Sequence, residues 1–247
     1  MFELNGKNIL VTGSSRGIGR AIAAACAAAG GRVIYHGTAV TPALTEAAGN
    51  NGFVTGNLSC PSEVAALIEK VKTVVPVVDV LVLNASVQSY TGVENFAEAE
   101  FCRQMQTNVA ANFELIRAFA PLMAAQGWGR VIAISSINQV RPSMRLGVYA
   151  ATKAALGNLM HSCAKEYAAS GVTFNTVLPG VITTDRNREG LSNEEFAEKL
   201  RQTIPAHRFG TPEDCSGIVQ FLASEAASYI TGADIPVAGG WQLSNKE

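Results

Sequence analysis

The sequence predicts an α/β fold in which one doubly wound parallel sheet carries helices on both faces. Two observations lead to this prediction. Short runs rich in β-branched residues alternate along the chain with longer segments rich in Ala and Leu. The short runs are apolar at nearly every position, which is typical of parallel strands buried on both faces. Strands and helices in this order indicate a single-domain Rossmann fold.

The prediction depends on two sets of segments taken in chain order. The segments with the composition of strands are 8–13, 32–37, 78–86, 129–136, 172–180 and 234–240. The segments with the composition of helices are 16–29, 62–74, 98–126, 148–169, 193–203 and 212–224. Because no repeat or linker interrupts them, we expect one catalytic domain over residues 1–247, with a mobile substrate loop at about 183–211.

Composition and charge argue against several classes of protein. The 247 residues are 48% hydrophobic and 16% charged, which favours a folded core over disorder. A net charge of −1 gives no electrostatic reason to expect nucleic acid or an anionic membrane as a partner. The chemistry is therefore expected to concern a small molecule.

The chain ends and the cysteines bear on location. The segment "MFELNGKNIL" has neither the basic start nor the long apolar stretch of a secretory signal, and no apolar run reaches the roughly 18 residues of a membrane span. Five dispersed cysteines fit reduced thiols, and neither Cys nor His has metal-ligand spacing. We expect a cytoplasmic protein without a metal site.

A glycine-rich turn follows the first predicted strand. In "LVTGSSRGIG", Gly13, Gly17 and Gly19 stand between that strand and the first predicted helix. Glycines permit a tight turn and close backbone approach, and the N–H groups at a helix start can bind a pyrophosphate. This context predicts a dinucleotide site. The alternative is a turn that only needs positive φ angles.

The end of the second predicted strand bears on the choice of nucleotide. NAD sites commonly place a carboxylate here, whereas this chain has Gly37 and Thr38 and no acid before Glu46. Without that carboxylate a 2′-phosphate is not repelled, and Arg16 can supply positive charge. NADP(H) is favoured and NAD(H) remains possible. Arg16 could alternatively be a solvated surface charge.

A tyrosine and a lysine stand four positions apart in the Ala-rich stretch "GVYAATKAAL". On a helix, Tyr149 and Lys153 would lie on one face, where the ammonium would lower the pKa of the phenol. That pair predicts a general acid/base. The alternative is a half-exposed tyrosine lying along a lysine stem.

Taken with Ser136, thirteen residues before Tyr149, these motifs resemble the short-chain dehydrogenase/reductase family. The likeness runs nearly end to end, and it is greatest to members similar to 3-oxoacyl-[acyl-carrier-protein] reductases and sugar-alcohol dehydrogenases. Further matching segments are "NLS" (57–59), "TNV" (107–109), "PGVITT" (179–184), "RFGTPED" (208–214) and "YITGADIPVAGG" (229–240). The resemblance implies an oxidoreductase that interconverts a ketone and a secondary alcohol by hydride transfer.

The resemblance also implies roles for individual residues. Tyr149 would be the acid/base, Lys153 would lower its pKa and bind the nicotinamide ribose, Ser136 would hydrogen-bond the substrate oxygen, and Asn108 would hold a relay water. The cofactor-binding residues would be Gly13, Ser15, Arg16, Gly17, Ile18, Gly19, Gly37, Thr38, Asn57, Leu58, Asn84, Ala85, Tyr149, Lys153, Pro179, Gly180, Ile182 and Thr184. The substrate wall would include Ile137, Gln139, Arg141, Met144, Val181 and Arg186.

Two departures from the family pattern bear on the strand supports. "LNAS" replaces the usual N-N-A-G, so Leu83 and Ser86 stand where Asn and Gly are expected. Ala238 occupies a position where Asp or Asn is usual. Neither touches the proposed acid/base, so the expected activity is unchanged.

The substrate itself stays open among a small ketone, a keto-acid, a sugar and a 3-oxoacyl group. Arginines at 141, 145, 186 and 188 suggest an anionic substrate, with solvated loop charge as the alternative. By family analogy Arg130 could face an acidic carrier protein, whereas Ser170 mildly favours a free small molecule. A non-catalytic NADP-binding regulator is the alternative function. The family also suggests a homotetramer formed through 98–126, 148–169 and the last strand.

Overall fold

Seven parallel strands form one sheet in the order β3-β2-β1-β4-β5-β6-β7. The computed structural model describes residues 2–188 and 190–244. The strands are β1 (Asn8–Val11), β2 (Arg32–Gly37), β3 (Gly52–Thr55), β4 (Val80–Leu83), β5 (Gly129–Ile134), β6 (Val172–Pro179) and β7 (Asp234–Val237). The predicted fold class is confirmed.

Helices cover both faces of the sheet. They are α1 (Gly17–Ala28), α2 (Pro42–Ala48), α3 (Pro61–Val74), α4 (Glu98–Met105), α5 (Ala111–Ala125), α6 (Gly147–Tyr167), α7 (Asp185–Arg188), α8 (Glu194–Thr203) and α9 (Pro212–Ala223). One core cluster joins the sheet to α3, α5 and α6, and a second joins it to α1, α2 and α9. The apolar runs predicted as strands are therefore buried from both sides, except at the edge strand β7.

Three elements differ from the sequence prediction. Strand β3 was not predicted, because it lies at the sheet edge and only Val54 of its four residues is buried. Helix α2 was also missed, since seven residues give too short an apolar pattern. The predicted helix 98–126 contains a π-helical segment, Gln106–Ala110, between α4 and α5. In addition, the region 183–211 is less irregular than expected, because it contains α7 as well as α8. Glu189 in that region, like the residues Met1 and 245–247 of the expected domain, lies outside the described residues.

The strand order reverses between β1 and β4, and this point positions the site. In such sheets, ligands bind outside the carboxyl ends of the strands where the order reverses. The segments that follow β1, β4, β5 and β6 all leave from this edge because the strands are parallel. They carry the glycine-rich turn, "LNAS", Ser136 and "PGVITT".

Among the described residues, no helix has the length and apolar character needed to cross a membrane.

Candidate active site

The glycine-rich turn packs against the start of the segment after β4. Gly13 and Gly17 have φ of +64° and +56°, which side chains rarely adopt. Gly19 has ordinary φ but no room, since a Cβ there would lie 2.4 Å from both Asn84 Nδ2 and the Gly13 carbonyl oxygen. The turn therefore needs glycine for two reasons, backbone conformation at Gly13 and Gly17 and close approach at Gly19.

The start of α1 fits a pyrophosphate. Arg16 stands at the N-cap, no side chain caps the helix, and its first turn has no acidic residue. The N–H groups at this end and the positive end of the helix dipole are left for an anion. Arg16 is exposed and forms no ion pair within the described parts of the chain. Ser15 is half-buried in the turn, while Ile18 packs on the core cluster and so contributes only its backbone to this face.

His36 supports the turn, and the sequence reasoning missed it. Its ring Nδ1 accepts a hydrogen bond from Gly13 N at 3.0 Å, so the Nε2 proton points to the Gly56 carbonyl oxygen, also at 3.0 Å. Its backbone N–H donates to Ser14 Oγ at 2.8 Å. Burial lowers the pKa of His36 to about 4. A neutral, buried imidazole thus fixes one amide of the turn, which no motif in the sequence signals.

The end of β2 has the charge pattern that the sequence indicates. Gly37 is buried and Thr38 is exposed directly after the strand. The first acidic residue beyond them, Glu46, pairs with Arg20 at 2.8 Å. No carboxylate of this segment is therefore left to face the ribose.

The segment after β3 holds the residues expected beside the adenine. The Asn57 side-chain oxygen accepts from the backbone N–H and the hydroxyl of Ser59, at 3.0 and 2.8 Å. The Leu58 side chain is 3% exposed and belongs to the core. Only the backbone of Leu58 is therefore left for a ligand.

Asn84 connects the glycine turn to β4. Its Nδ2 donates to the carbonyl oxygens of Thr12 and Gly13, at 2.9 and 3.1 Å. The Thr12 hydroxyl oxygen in turn accepts from the backbone N–H of Asn84 and of Ala85, at 2.9 and 3.0 Å. Leu83, where the family has Asn, is simply buried. The altered "LNAS" segment is therefore still firmly supported.

The segment after β6 crosses in front of the turn. A Cβ on Gly17 would lie 3.4 Å from Thr184 Cγ2, so two segments predicted to bind the cofactor meet there. Gly180, which follows the buried Pro179, approaches Ala238 so closely that a Cβ on it would lie 2.9 Å from the Ala238 Cα. Ala238, the second departure from the family pattern, thus provides a small surface at this contact. Ile182 is buried, so its backbone is the part available to a ligand.

Ser136 is held at the end of β5 with its proton free to point outward. Its oxygen accepts from the backbone N–H and the Nδ2 of Asn138, at 3.1 and 3.2 Å. With both acceptor positions in use, the hydroxyl is a donor. It lies within hydrogen-bonding reach of Tyr149. Asn138 is a positioning residue that the sequence reasoning did not identify.

Tyr149 lies in the first turn of α6, with its side chain largely buried and 6% of the residue exposed. The hydroxyls of Ser136 and Ser86 lie within hydrogen-bonding reach of its phenol. Burial raises the pKa of Tyr149, while the charge of Arg186 and the two serine contacts lower it by less. The phenol is therefore a neutral hydroxyl at neutral pH.

Lys153 lies on the same face of α6, as the spacing predicts. Its Nζ is 5.6 Å from the centre of the Tyr149 ring and donates to the Ile134 carbonyl oxygen at 2.9 Å. Burial and the charge of Arg186 lower the pKa of Lys153 to about 7. The causes that shift the pKa of Tyr149 in this nucleotide-free structure do not include the charge of Lys153, so the expected effect of Lys153 on the phenol stays a prediction.

Asn108 is buried in the π-helical segment. Its side-chain oxygen accepts from Val87 N at 2.9 Å, and its Nδ2 donates to the Val87 carbonyl at 2.8 Å and to Thr152 Oγ1 at 3.0 Å. Its backbone carbonyl accepts from Asn112 Nδ2 at 2.8 Å. Asn108 thus ties the segment after β4 to α6, next to the catalytic pair.

The six residues expected in the substrate wall separate into two groups. Five have other contacts or are exposed, and their place in a substrate wall stays a prediction: Ile137 and Val181 pack in a small cluster with Trp241, Arg141 lies over the Trp241 ring, Met144 is 92% exposed, and the Gln139 amide bonds Ser135 and Asp234. Arg186 is the one residue of the six whose charge lowers the pKa of Tyr149. Its contact is Ser86, the residue that departs from the family pattern.

Comparisons with known proteins match nearly the whole chain. The family profile described as Enoyl-(Acyl carrier protein) reductase matches residues 13–242. The 3-oxoacyl-[acyl-carrier-protein] reductase of Escherichia coli is 38% identical over 246 residues, covering 98% of this chain and 99% of that protein.

Two solved structures extend the comparison. A 3-oxoacyl (acyl-carrier-protein) reductase from Agrobacterium tumefaciens with NADP bound is 38% identical, with a TM-score of 0.91 over 96% of this chain and 95% of that one. A gluconate 5-dehydrogenase from Burkholderia cenocepacia in complex with NADP and tartrate is 28% identical, with a TM-score of 0.92 over 98% of both chains.

Proposed function

This chain belongs to the short-chain dehydrogenase/reductase family, and from that membership we propose that it reduces a small free oxo compound with Tyr149 as the proton donor. It is an NAD(P)(H)-dependent oxidoreductase that interconverts a ketone and a secondary alcohol by hydride transfer. The observation that carries the proposal is that the hydroxyls of Ser136 and Tyr149 meet at the end of the sheet where the strand order reverses.

The catalytic roles follow from the state of each group. When bound, the reduced nicotinamide supplies the hydride. Tyr149 is protonated because burial raises its pKa, so it can give its proton to the oxygen that becomes negative. Ser136 donates to the same oxygen, and because Asn138 already fixes its position, little reorganisation is needed. Lys153 and Asn108 lie next to the phenol, and we assign them to the path by which Tyr149 regains its proton.

The charge pattern supports NADP(H) as the preferred nucleotide. Thr38 follows β2 without an acidic neighbour, and the nearest one in sequence, Glu46, is paired with Arg20. Arg16 provides an exposed cation at the N-cap of α1. A 2′-phosphate would therefore meet positive charge and no carboxylate from this segment.

A free small molecule suits this chain better than a thioester on a carrier protein. Arg130, which family analogy places toward a carrier, is 1% exposed and donates to the carbonyl oxygens of Ser224 and Gly129. A buried guanidinium cannot contact a partner surface. A relative that is named for gluconate and holds tartrate, both of them carboxylates, also favours a small acid or sugar acid.

We further propose that one dinucleotide-binding domain, with its substrate loop at 183–211, assembles as a homotetramer in the cytoplasm. Exposed aromatic side chains on α4 and α5, Phe101 and Phe113, offer apolar contact area for such an assembly. The five cysteines are all free thiols, which suits a reducing compartment. Light scattering on the purified protein tests the assembly.

NADPH consumption across a panel of small ketones, aldoses and oxo acids tests the function. We expect Tyr149→Phe to lower kcat by about a thousandfold while the dissociation constant for NADPH changes less than about threefold. Turnover that is unaffected by this substitution would refute the assigned mechanism. Nucleotide binding with no turnover on any carbonyl compound would instead favour the non-catalytic regulator.

A further inference from the structure

Two of the four loop arginines that suggest an anionic substrate have described surroundings other than the phenol. The Arg141 guanidinium lies 4.9 Å from the centre of the Trp241 ring. Arg145 is exposed, has a positive φ of 64°, and accepts a hydrogen bond from Thr91 through its carbonyl oxygen at 3.0 Å. Neither of these contacts involves Tyr149.

The other two lie two residues apart on α7 and have different surroundings. Arg188 pairs with Asp185 and its side chain is 81% exposed, as expected for a solvated charge. Arg186 forms no ion pair with any carboxylate of residues 2–188 and 190–244. Its charge instead lowers the pKa of both Tyr149 and Lys153. One arginine of the four is thus an uncompensated cation at the reacting centre.

Ser86 holds Arg186 in place by two hydrogen bonds. Arg186 Nη1 donates to Ser86 Oγ at 3.0 Å, and Nη2 donates to the Ser86 carbonyl oxygen at 2.6 Å. The two residues are 100 positions apart in the chain, so the contact fixes the loop after β6 against the segment after β4. Because the Ser86 hydroxyl also reaches the Tyr149 phenol, the guanidinium is set at a defined place relative to the proton donor.

The donors that remain on Arg186 determine what it can bind. A guanidinium has five N–H groups, and the contact with Ser86 uses two of them. The remaining donors match the two oxygens of one carboxylate in the bidentate geometry that arginine favours. The second basic group nearby, Lys153, is buried and its pKa is lowered to about 7, so Arg186 supplies the permanent positive charge of the site. One carboxylate balances it.

We propose that Arg186, oriented by Ser86, binds the carboxylate of a small oxo acid whose carbonyl oxygen meets Tyr149 and Ser136. The inference rests on the proposed function and adds the substrate class to it. In the reduction, the hydride goes to the carbonyl carbon and the Tyr149 proton to its oxygen, while the carboxylate on Arg186 is unchanged. Arg186 is thus a specificity-determining residue, and Ser86 is its positioning residue.

Matched substrates test the proposal. Pyruvate, acetoacetate and levulinate place a carboxylate at increasing distance from the ketone, and their methyl esters remove the charge. We expect wild-type enzyme to prefer one of the acids over its ester. For that acid, Arg186→Ala should lower kcat/KM by about a hundredfold and Arg186→Lys by about tenfold, with less than about a threefold loss on the ester.

The positioning role of Ser86 has its own readout. Ser86→Ala should raise KM for the acid about fivefold without raising KM for the ester, and this rise in KM should disappear when Arg186 is already Ala. Arg188→Ala is the control, since it removes the same charge from the same helix without touching Ser86. Arg188→Ala should leave kcat/KM for the acid and for the ester within about twofold of the wild-type values.

A binding measurement separates this inference from the proposed function. Calorimetric titration of each acid into the enzyme with NADP⁺ involves no turnover. The heat of binding of the acid should disappear in Arg186→Ala and remain in wild type and in Arg188→Ala. Equal losses on acid and ester, or a weaker NADPH complex in Arg186→Ala, would overturn the proposal by assigning Arg186 to loop structure or to the nucleotide. Reduction of esters but of no acid by the wild type would overturn it as well, while leaving the function of Tyr149 intact.

Discussion

Lys153 lies one helical turn after Tyr149 on α6, with its Nζ 5.6 Å from the centre of the phenol ring and 2.9 Å from the carbonyl oxygen of Ile134. The carbonyl contact holds the amine beside the ring but provides no negative charge. Burial therefore dominates, and the pKa of Lys153 falls to about 7. Without a bound ligand, the charge of this lysine is a cost to the folded state.

That cost predicts a pH dependence of stability for Lys153→Met. Between pH 7 and 10.5 the unfolded chain holds the lysine proton and the folded chain does not, so wild-type stability rises with pH across this window. Removing the amine should therefore stabilise the nucleotide-free protein most at pH 6, by roughly 2–4 kcal/mol, and progressively less toward pH 10. Urea unfolding at several pH values measures the difference.

Lys199→Met serves as the control, because Lys199 is exposed and paired with Glu195 on the surface. It should show no comparable trend. A Lys153→Met variant that is less stable than wild type at pH 6 would mean that the amine is well solvated or paired in the folded protein.

A second pH effect is expected at His36. Its folded pKa of about 4 lies below the ordinary 6.5, so the unfolded chain takes up a proton first as the pH falls. Stability is therefore lost between pH 6.5 and 4, by about 3 kcal/mol in total at one site. Replacement by Gln, which keeps a polar side chain, should make the unfolding free energy less dependent on pH in this range.

The same substitution reports on the nucleotide site. Because His36 accepts the Gly13 N–H, His36→Gln should also raise the dissociation constant for NADPH, by about tenfold. His207→Asn, at an exposed position with a φ of +49° that Asn tolerates, is the control. If both histidine variants lose acid stability equally, His36 is not the group responsible.

The features of the structure that follow from local sequence patterns could be predicted from the sequence. The alternation of apolar runs predicted six strands, of which five are buried along nearly their whole length while the edge strand β7 is only half-buried, and the fold class is confirmed. The glycine turn and the Tyr149–Lys153 pair were predictable because each is a local pattern within one or two helical turns. Their proximity in space then follows from the parallel sheet.

Contacts across the sheet edge could not be predicted in the same way. The pairing of Ser86 with Arg186 depends on the path of the chain after β6, and the interaction of His36 with Gly13 depends on the packing between two neighbouring strands. Arg130 is another case, because a charged residue in a strand gives no sign that its guanidinium will be buried under backbone carbonyls. Each of these needs coordinates.

The close approach at Gly19 gives a third prediction. A Cβ there would lie 2.4 Å from the Gly13 carbonyl oxygen, so Gly19→Ala must move the turn itself. We expect at least about a tenfold loss in NADPH affinity, together with destabilisation of about 1–3 kcal/mol. Fluorescence titration with NADPH and thermal unfolding measure the two effects.

Gly217→Ala is the matched control for the loss of a glycine. Gly217 lies inside α9, and a Cβ there meets nothing within 4 Å. This substitution should stabilise the protein by about 0.5–1 kcal/mol and leave nucleotide binding unchanged. Similar NADPH affinity in both variants would mean that the turn can relax around a methyl group.

The choice between the two nucleotides gives the fourth prediction, at Thr38. This residue is exposed directly after β2, where a carboxylate would bond the ribose hydroxyls of NAD(H) and repel a 2′-phosphate. Thr38→Asp should lower kcat/KM for NADPH by about a hundredfold and leave that for NADH equal or higher. Steady-state kinetics with both nucleotides and one fixed substrate give the ratio.

Thr38→Asn separates charge from shape, since it has nearly the size of Asp without its charge. It should retain most of the preference for NADPH. Arg16→Ala should weaken the binding of NADPH and leave the binding of NADH unchanged, because only the 2′-phosphate needs the extra cation. If Thr38→Asp and Thr38→Asn lower kcat/KM for both nucleotides by the same factor, the segment after β2 contacts the ribose through its backbone alone. The preference between the nucleotides is then set by Arg16 at the start of α1.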